Sequence, residues 1–115
     1  IPNEIARILS NGKLGDFGIH TEMISDGCMH LQQSGKVSNR RTLYPGYTVA
    51  TFALGSKELY DWLDGNPSVR MLPVSAVNDP AEVRNMDKFV SVNGALAVDL
   101  LGQVAADYVG GKQYS

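Results

Sequence analysis

The sequence has little of several features that would point to a particular class of protein. It has one cysteine, Cys28, so no disulfide can form within the chain, and an ordinary thiol in a reducing compartment is expected. No apolar run reaches the roughly 18 residues that a membrane-spanning helix needs. The N-terminal sequence IPNEIARI lacks the basic segment and apolar core of a signal peptide. These absences predict a cytoplasmic protein.

An excess of charge of one sign is also missing. The chain has 10 basic residues against 12 acidic ones, a formal net charge of −2, and only one adjacent basic pair, Arg40-Arg41. Such a balance gives no electrostatic reason to bind nucleic acid or an anionic membrane surface. We therefore expect neither as a partner.

What the sequence does contain is an alternation of helix and strand patterns in one short chain of 115 residues, 43% of them hydrophobic. Helix patterns with capping residues and glycine stops cover residues 3–10, 25–34, 57–63 and 79–86. Strand patterns cover residues 17–23, 47–54, 68–74, 88–92 and 96–101, with a polar loop at 37–45. The alternation predicts an α/β domain with a largely parallel open sheet and crossover helices.

Ligands of open α/β sheets bind beyond the carboxyl ends of the strands. Three predicted strand ends carry suitable residues there, at positions 20–22, 54–56 and 74–78. Gly55-Ser56 has two interpretations, an anion site at a helix N-terminus or simply a helix cap. The sequence around it matches neither a phosphate-binding loop of the Walker type nor a nucleophile elbow.

Four side chains near the first of these strand ends are potential metal ligands: His20, Glu22, Asp26 and His30. Their spacings match no zinc motif. Ordinary hydrogen-bonded polar residues are the better interpretation, and no metal is predicted.

Residues 91–103, SVNGALAVDLLGQ, form a corner of small residues between two apolar runs. Asn93-Gly94-Ala95 is typical of a tight turn, because Asn and Gly tolerate positive φ. The run that follows predicts a buried strand, residues 96–101, which contains Asp99 as its lone carboxylate and is followed by Gly102-Gln103.

Several stretches together resemble the acetyl-CoA hydrolase/transferase family, close to the 4-hydroxybutyrate CoA-transferases. The matching sequences run in order over nearly the whole chain: GIHTEM and SDG (18–23 and 25–27), ATFALGS (50–56), PV and VNDP (73–74 and 77–80), VN through VDL to GQV (92–104), and GGKQYS (110–115). No single match is specific, but the ordered set is.

The resemblance implies a CoA-transferase-like α/β fold in which residues 1–115 are one partial domain, truncated at both ends and belonging to the second half of a longer protein. Coenzyme A or acyl-CoA is then a substrate, with a small carboxylate as the other, and no cofactor is bound covalently. By the same resemblance, Asn93 lines the acyl site, and the CoA contacts are Val74, Ser75, Ala76, Val77 and Asn78. Asn93 as a plain turn residue and Asn78 as a residue that precedes a helix cap are the alternatives.

The family uses a glutamate whose carboxylate attacks the thioester and forms a glutamyl-CoA intermediate, which the incoming carboxylate resolves. The family motif, approximately N-S-A-(I/L)-E-V-D-L, places that glutamate at Ala97, and Gly94 replaces the usual serine. A methyl group cannot form a thioester. Asp99 is a poor substitute, because it is one methylene shorter and roughly 7 Å further along a strand.

Three explanations for Ala97 are open: an engineered replacement of the glutamate, a natural member with lost or changed chemistry, or a stand-alone fragment. The chain is therefore expected to resemble a CoA-transferase but to be inactive alone. A non-catalytic CoA-binding or assembly module is the alternative, as is an engineered variant of an active enzyme. A homo-oligomer is expected, because half of a two-lobed fold exposes apolar surface.

Overall fold

The computed structural model describes residues 2–114. Its five helices are α1 (Pro2–Asn11), α2 (Asp26–Gln33), α3 (Lys57–Leu63), α4 (Val74–Val77) and α5 (Pro80–Val83). Its strands are β1 (Met23–Ile24), β2 (Thr48–Ala50), β3 (Phe52–Ala53), β4 (Val69–Met71), β5 (Ala97–Val98), β6 (Val104–Ala105), β7 (Tyr108–Val109) and β8 (Lys112–Gln113).

These strands form four two-stranded sheets within residues 2–114. Strands β1 and β3 pair in parallel, with Met23 opposite Phe52, and β2 pairs in parallel with β4, with Thr48 opposite Val69. The pairs β5–β6 and β7–β8 are antiparallel. The predicted α/β class is confirmed, and the two parallel pairs are joined by an isolated parallel bridge between His20 and Val49 of β2, while the two C-terminal pairs are separate hairpins.

The predicted strand at residues 47–54 is interrupted at Thr51. The backbone N–H groups of Thr51 and Phe52 both donate to the carbonyl of Glu22, at 2.8 and 3.0 Å. Two successive residues thus oppose one partner, as in a β-bulge. Before this bulge, β2 is bonded to residues 19–21 on one side and to β4 on the other, and after it the run continues as β3 beside β1.

The core lies between the N-terminal helices and the parallel pairs. Its fully buried side chains include Ile24, Met29, Val49, Leu59 and Val77. A second cluster of Ala6, Ile19 and Leu31 joins α1 and α2 to the strand region.

Helix α1 approaches α2 at Gly27. A β-carbon at Gly27 would lie 2.8 Å from the α-carbon of Asn3, so only glycine permits this contact. Asn3 lies inside α1 instead of capping it, and its Oδ1 accepts hydrogen bonds from Ser25 Oγ (2.5 Å) and Gly27 N (3.2 Å). Ser25 occupies the predicted N-cap position of α2, but its side chain makes no capping hydrogen bond.

A chain of buried amides and hydroxyls crosses the fold beside this core. Asn39 Nδ2 donates to Thr48 Oγ1 (3.1 Å), and that hydroxyl donates to Gln32 Oε1 (2.6 Å). Gln32 Nε2 in turn donates to Ser68 Oγ (2.6 Å). Thr48 is fully buried and Asn39 nearly so, so the chain ties the 37–45 loop to β2 and α2.

Several predicted strands are shorter or absent. Residues 17–23 contribute only isolated bridges at Phe17 and His20 before β1 begins, and residues 88–92 are irregular. The 68–74 strand ends at Met71, because Pro73 starts α4 as its N-cap. The predicted helix at 79–86 is the short α5, begun as expected by Asp79, whose Oδ1 accepts from Ala81 N at 2.8 Å.

The predicted buried strand at residues 96–101 is wrong. Only β5 forms there, its residues are exposed, and it pairs with β6 in a hairpin. The turn is not at 93–95 but at Asp99, whose Oδ1 accepts from Leu101 N (2.8 Å) and Gln103 N (2.9 Å). Gly102 completes this turn with φ at +82°.

Within the described residues, no helix is long and apolar enough to cross a membrane.

Candidate functional site

A cleft of about 960 Å³ opens beside the parallel strands. It is bounded by residues 20–26, by the end of β3 and the turn after it, by the end of α4, and by the irregular segment 89–94. Its lining includes polar and sulfur-bearing side chains, among them His20, Glu22, Cys28, Asn78 and Asn93.

His20 connects two walls of the cleft. Its Nε2 lies 2.6 Å from the carbonyl oxygen of Val77, 57 residues away in the sequence. A carbonyl oxygen can only accept, so Nε2 carries the proton. The His20 ring stacks on Tyr44, with ring centroids 6.4 Å apart, and its Nδ1 is buried without a partner in residues 2–114.

Glu22 makes a second connection between the same walls. Its Oε2 accepts a hydrogen bond of 2.6 Å from Asn78 Nδ2. The predicted strand end at 20–22 and the predicted segment at 74–78 therefore meet at the cleft, through two adjacent side-chain contacts.

Only some of the residues predicted to contact CoA line the cleft. Val77 is buried and Asn78 exposed, and both line the cleft. Val74, Ser75 and Ala76 lie on α4, outside the cleft lining described in residues 2–114.

The predicted acyl-site residue and the nucleophile position are separated. Asn93 lines the cleft, and its Nδ2 donates to Ser91 Oγ at 2.8 Å. Ala97 lies on exposed β5, opposite Ala105, and is outside the described cleft lining. Asp99 Oδ1 accepts the two backbone bonds of the hairpin turn, so this carboxylate has a local structural function.

At the possible anion site, Gly55-Ser56, a carboxylate of the protein itself is hydrogen-bonded to Ser56. Asp26 Oδ1 accepts from Ser56 N (3.1 Å) and Ser56 Oγ (2.6 Å), while Ser56 Oγ caps α3 by accepting from Leu59 N (3.3 Å). The hydroxyl of Ser56, followed by its backbone N–H, holds the pKa of Asp26 below its ordinary value. The helix-cap interpretation of Ser56 is confirmed.

Of the four potential metal ligands, His20, Glu22 and Asp26 border the cleft, and His30 lies on the exposed face of α2. The described residues contain no group of three or more His, Cys, Asp or Glu side chains arranged to hold a metal ion.

Sequence reasoning did not anticipate two features of the cleft. Cys28 lines it, although the sequence predicts only an ordinary thiol at this position. The bond from His20 to the backbone of Val77 has no sequence signal, because a backbone carbonyl is present at every position. Asn78, in contrast, is among the residues that the family resemblance predicts to contact CoA.

Comparisons with known proteins match this arrangement to one family. The family model for the acetyl-CoA hydrolase/transferase C-terminal domain matches residues 55–115. The chain belongs to the acetyl-CoA hydrolase/transferase family. The matched part includes α4 with Asn78, the segment that carries Asn93, and both C-terminal hairpins.

Relatives and solved structures of this family resemble the chain over its whole length. It is 47% identical to succinyl-CoA:cyclohexane-1-carboxylate CoA transferase of Geobacter metallireducens and 44% identical to 4-hydroxybutyrate coenzyme A transferase of Clostridium kluyveri, in each case over 100% of the chain. The crystal structure of RipA from Yersinia pestis matches 98% of the chain with a TM-score of 0.88 and 37% identity. The chain spans 26%, 27% and 26% of these three proteins, about a quarter of each.

Proposed function

We propose that the cleft is one wall of a binding site for coenzyme A or acyl-CoA. The observation that carries this proposal is the meeting of Val77, Asn78 and Asn93, from two segments of the chain, in one cleft. The named relatives are CoA-transferases, and their substrates include succinyl-CoA and a carboxylate in the first of them. CoA and acyl-CoA are substrates in this proposal, so no covalently bound cofactor is invoked.

Transfer of CoA by this chain alone is not part of the proposal. The family reaction needs a carboxylate nucleophile, and position 97 supplies only a methyl group. Asp99 does not replace it, because its Oδ1 is engaged in the hairpin turn. We therefore expect a CoA-transferase-like chain that binds CoA but does not turn it over.

Turnover is tested with butyryl-CoA and acetate, by following the formation of acetyl-CoA. The chain should show none above the rate without protein. Clear turnover would contradict the role assigned to Ala97, while leaving CoA binding in the cleft intact.

Restoring the carboxylate gives the complementary test. Ala97→Glu should form a glutamyl-CoA adduct detectable by mass spectrometry only where acyl-CoA can reach position 97. Since Ala97 lies outside the cleft lining of residues 2–114, we expect no adduct in this chain. An adduct on A97E would show that the described residues suffice for the first chemical step.

A non-catalytic CoA-binding or assembly module is the second candidate, favoured by the position of Ala97 outside the cleft lining of residues 2–114. The proposed CoA site and the CoA-binding form of this module both require CoA binding, which thermal unfolding measures. CoA at about 100 times its dissociation constant stabilises a one-site protein by about 2.7 kcal/mol. No shift at millimolar CoA would contradict both. Sequencing codon 97 of the coding DNA distinguishes a natural alanine from an introduced one.

We also propose that the chain self-associates. Its accessible surface is 7792 Å², against about 6,100 Å² for a compact monomer of its mass. Much of the exposed apolar surface is on the C-terminal hairpin region, where Leu100, Leu101 and Val98 are exposed. Light scattering should give a dimer or larger assembly, and a monomeric mass would contradict self-association. A cytoplasmic location and a single partial domain over residues 1–115 remain predictions of the sequence.

A further inference from the structure

Two Asn-Gly pairs occur in the chain, Asn11-Gly12 and Asn93-Gly94. Asparagine is among the thermally labile residues of proteins. In an Asn-Gly pair the backbone nitrogen of the glycine can attack the side-chain carbonyl carbon of the asparagine, because glycine has no side chain in the way and lets the backbone bend. The rate of this attack depends on how firmly the structure holds the two residues.

The first pair is held at the end of α1. The side-chain Nδ2 of Asn11 donates to the carbonyl of Arg7 at 3.0 Å, and Gly12 N donates to the carbonyl of Leu9 at 3.2 Å. The attacking nitrogen and the leaving amide are therefore both engaged in the last turn of a helix. Attack at Asn11 requires this turn to open first.

The second pair, Asn93-Gly94, is not restrained in this way. Both residues are exposed and lie in irregular backbone, and Gly94 N donates no hydrogen bond within residues 2–114. A β-carbon at Gly94 would meet nothing within 4 Å, so the backbone around this nitrogen has room to rotate. The hydrogen bond from Asn93 Nδ2 to Ser91 Oγ, at 2.8 Å, joins two exposed groups of the same segment and leaves the side-chain carbonyl carbon open to attack.

We propose that Asn93-Gly94 is a site of spontaneous deamidation, at which the folded chain converts an amide of its cleft into a carboxylate. Gly94 N forms a bond to Cγ of Asn93, the Cγ–Nδ2 bond breaks, and ammonia leaves with the proton of Gly94 N. Water then opens the cyclic succinimide. Cleavage of the new N–Cγ bond gives aspartate, and cleavage of the original peptide bond gives isoaspartate.

The product changes the charge of the cleft. Its lining includes the carboxyl groups of Glu22 and Asp26 and, within the described residues, no lysine or arginine. A carboxylate at position 93 therefore adds a negative charge that no basic residue of this lining compensates, and it repels an anionic ligand. CoA is such a ligand because of its phosphates. The expected weakening of CoA binding rests on the proposed function, whereas the deamidation itself does not.

The test follows both asparagines in one sample of the folded chain. The chain is incubated at mildly alkaline pH and digested with trypsin, which places Asn11 in residues 8–13 and Asn93 in residues 89–112. Mass spectrometry detects the gain of about 1 Da that accompanies each deamidation. Asn93 should react about tenfold faster than Asn11, a difference of about 1.4 kcal/mol in activation free energy. Equal rates, or faster reaction at Asn11, would overturn the proposal.

Two controls separate the folded structure from the local sequence. In concentrated urea the restraint on Asn11 is lost, so the two pairs should react within about threefold of each other. A difference as large as that in the folded chain would overturn the structural explanation. Gly94→Ser (G94S) places a side chain beside the attacking nitrogen and should slow the reaction of Asn93 while Asn11 reacts as before. Unchanged reaction at Asn93 in G94S would contradict the assignment of Gly94 N as the nucleophile.

The effect on the cleft is measured separately with Asn93→Asp (N93D), which reproduces one product in homogeneous form. By calorimetry N93D should bind CoA about threefold more weakly than the fresh chain. Asn11→Asp, at an exposed residue outside the cleft lining of residues 2–114, is the matched control and should bind CoA as the fresh chain does. Equal affinity in N93D would overturn the effect on CoA. Absence of CoA binding by the fresh chain would overturn the proposed function, while the two deamidation rates would still decide the modification.

Discussion

Asp26 and Ser56 are 30 residues apart, and the carboxylate of Asp26 accepts hydrogen bonds from both the backbone N–H and the hydroxyl of Ser56. The first residue of α2 is thereby joined to the N-cap of α3. An exogenous anion at this helix start would have to compete with a carboxylate already in place. The pair therefore has a structural effect that depends on the ionisation of Asp26.

The folded chain should become less stable in acid because Asp26 is protonated there. The pKa of Asp26 is lowered in the folded chain, chiefly by the Ser56 hydroxyl. Its contribution to the free energy of unfolding is therefore fully present above the pKa of the unfolded chain, and it is lost as the pH falls through the pKa of the folded chain. Asp26→Asn should lower the thermal midpoint at pH 7, and its difference from the unchanged chain should narrow as the pH is lowered toward 3. Asp61→Asn, at an exposed residue of α3, is the control. A difference that is independent of pH would contradict this assignment.

The buried hydroxyl of Thr48 should matter more than that of Thr51. Thr48→Val removes a bond to Asn39 and one to Gln32, leaving both amides short of a partner, at a cost of about 1–3 kcal/mol. Thr51 Oγ1 is buried without a partner among the described residues, so Thr51→Val should be neutral or stabilising. Urea unfolding of the two isosteric variants checks this. Equal destabilisation would show that the hydrogen-bonded chain contributes nothing specific.

Adding one methyl group at Gly27 should separate α1 from α2. The new β-carbon would lie 2.7 Å from Asn3 Oδ1 and 2.8 Å from the Asn3 backbone, an overlap that costs about 1–3 kcal/mol. The higher helix propensity of alanine offsets only about 1 kcal/mol. Gly94→Ala, where a β-carbon meets nothing within 4 Å, is the control. Free energies of unfolding from denaturant titration should rank Gly27→Ala clearly below this control.

Asp99→Ala should open the hairpin turn without unfolding the chain. The change removes the acceptor of the Leu101 and Gln103 amides, so hydrogen exchange at these two amides should accelerate. Asp99→Asn keeps an oxygen at the same place and should protect them. The thermal midpoint should change little, because the hairpin is exposed. Unaltered exchange in D99A would contradict the turn role.

Local signals in the sequence predicted local structure well. Asp79-Pro80 begins a helix, Ser56 caps one, and Gly35 ends one with φ at +76°, each because the chemistry lies within a few residues. The three strand ends expected to carry a site contribute His20, Leu54 and Val77 to one cleft. Whether Asn93 and residues 74–78 bind CoA stays a prediction.

The errors arose where structure depends on distant partners. The run at 47–54 is apolar throughout, and nothing in it reveals that two of its amides share the Glu22 carbonyl and divide it into β2 and β3. The apolar run at 96–101 favoured burial, but burial needs an opposing apolar face, and residues 2–114 provide none for Leu100 or Leu101. Asp99 was interpreted as a lone carboxylate in a strand because its turn bonds reach forward to a segment whose pairing was not evident.

The exposure of Ala97 in a two-residue strand affects which residues the fold accepts at this position. Substitutions at exposed positions away from special backbone geometry usually alter stability by less than about 0.5 kcal/mol. An exchange between glutamate and alanine at position 97 would therefore change the free energy of unfolding very little. In evolutionary terms, selection on the fold of residues 2–114 neither preserves nor resists the residue at this position.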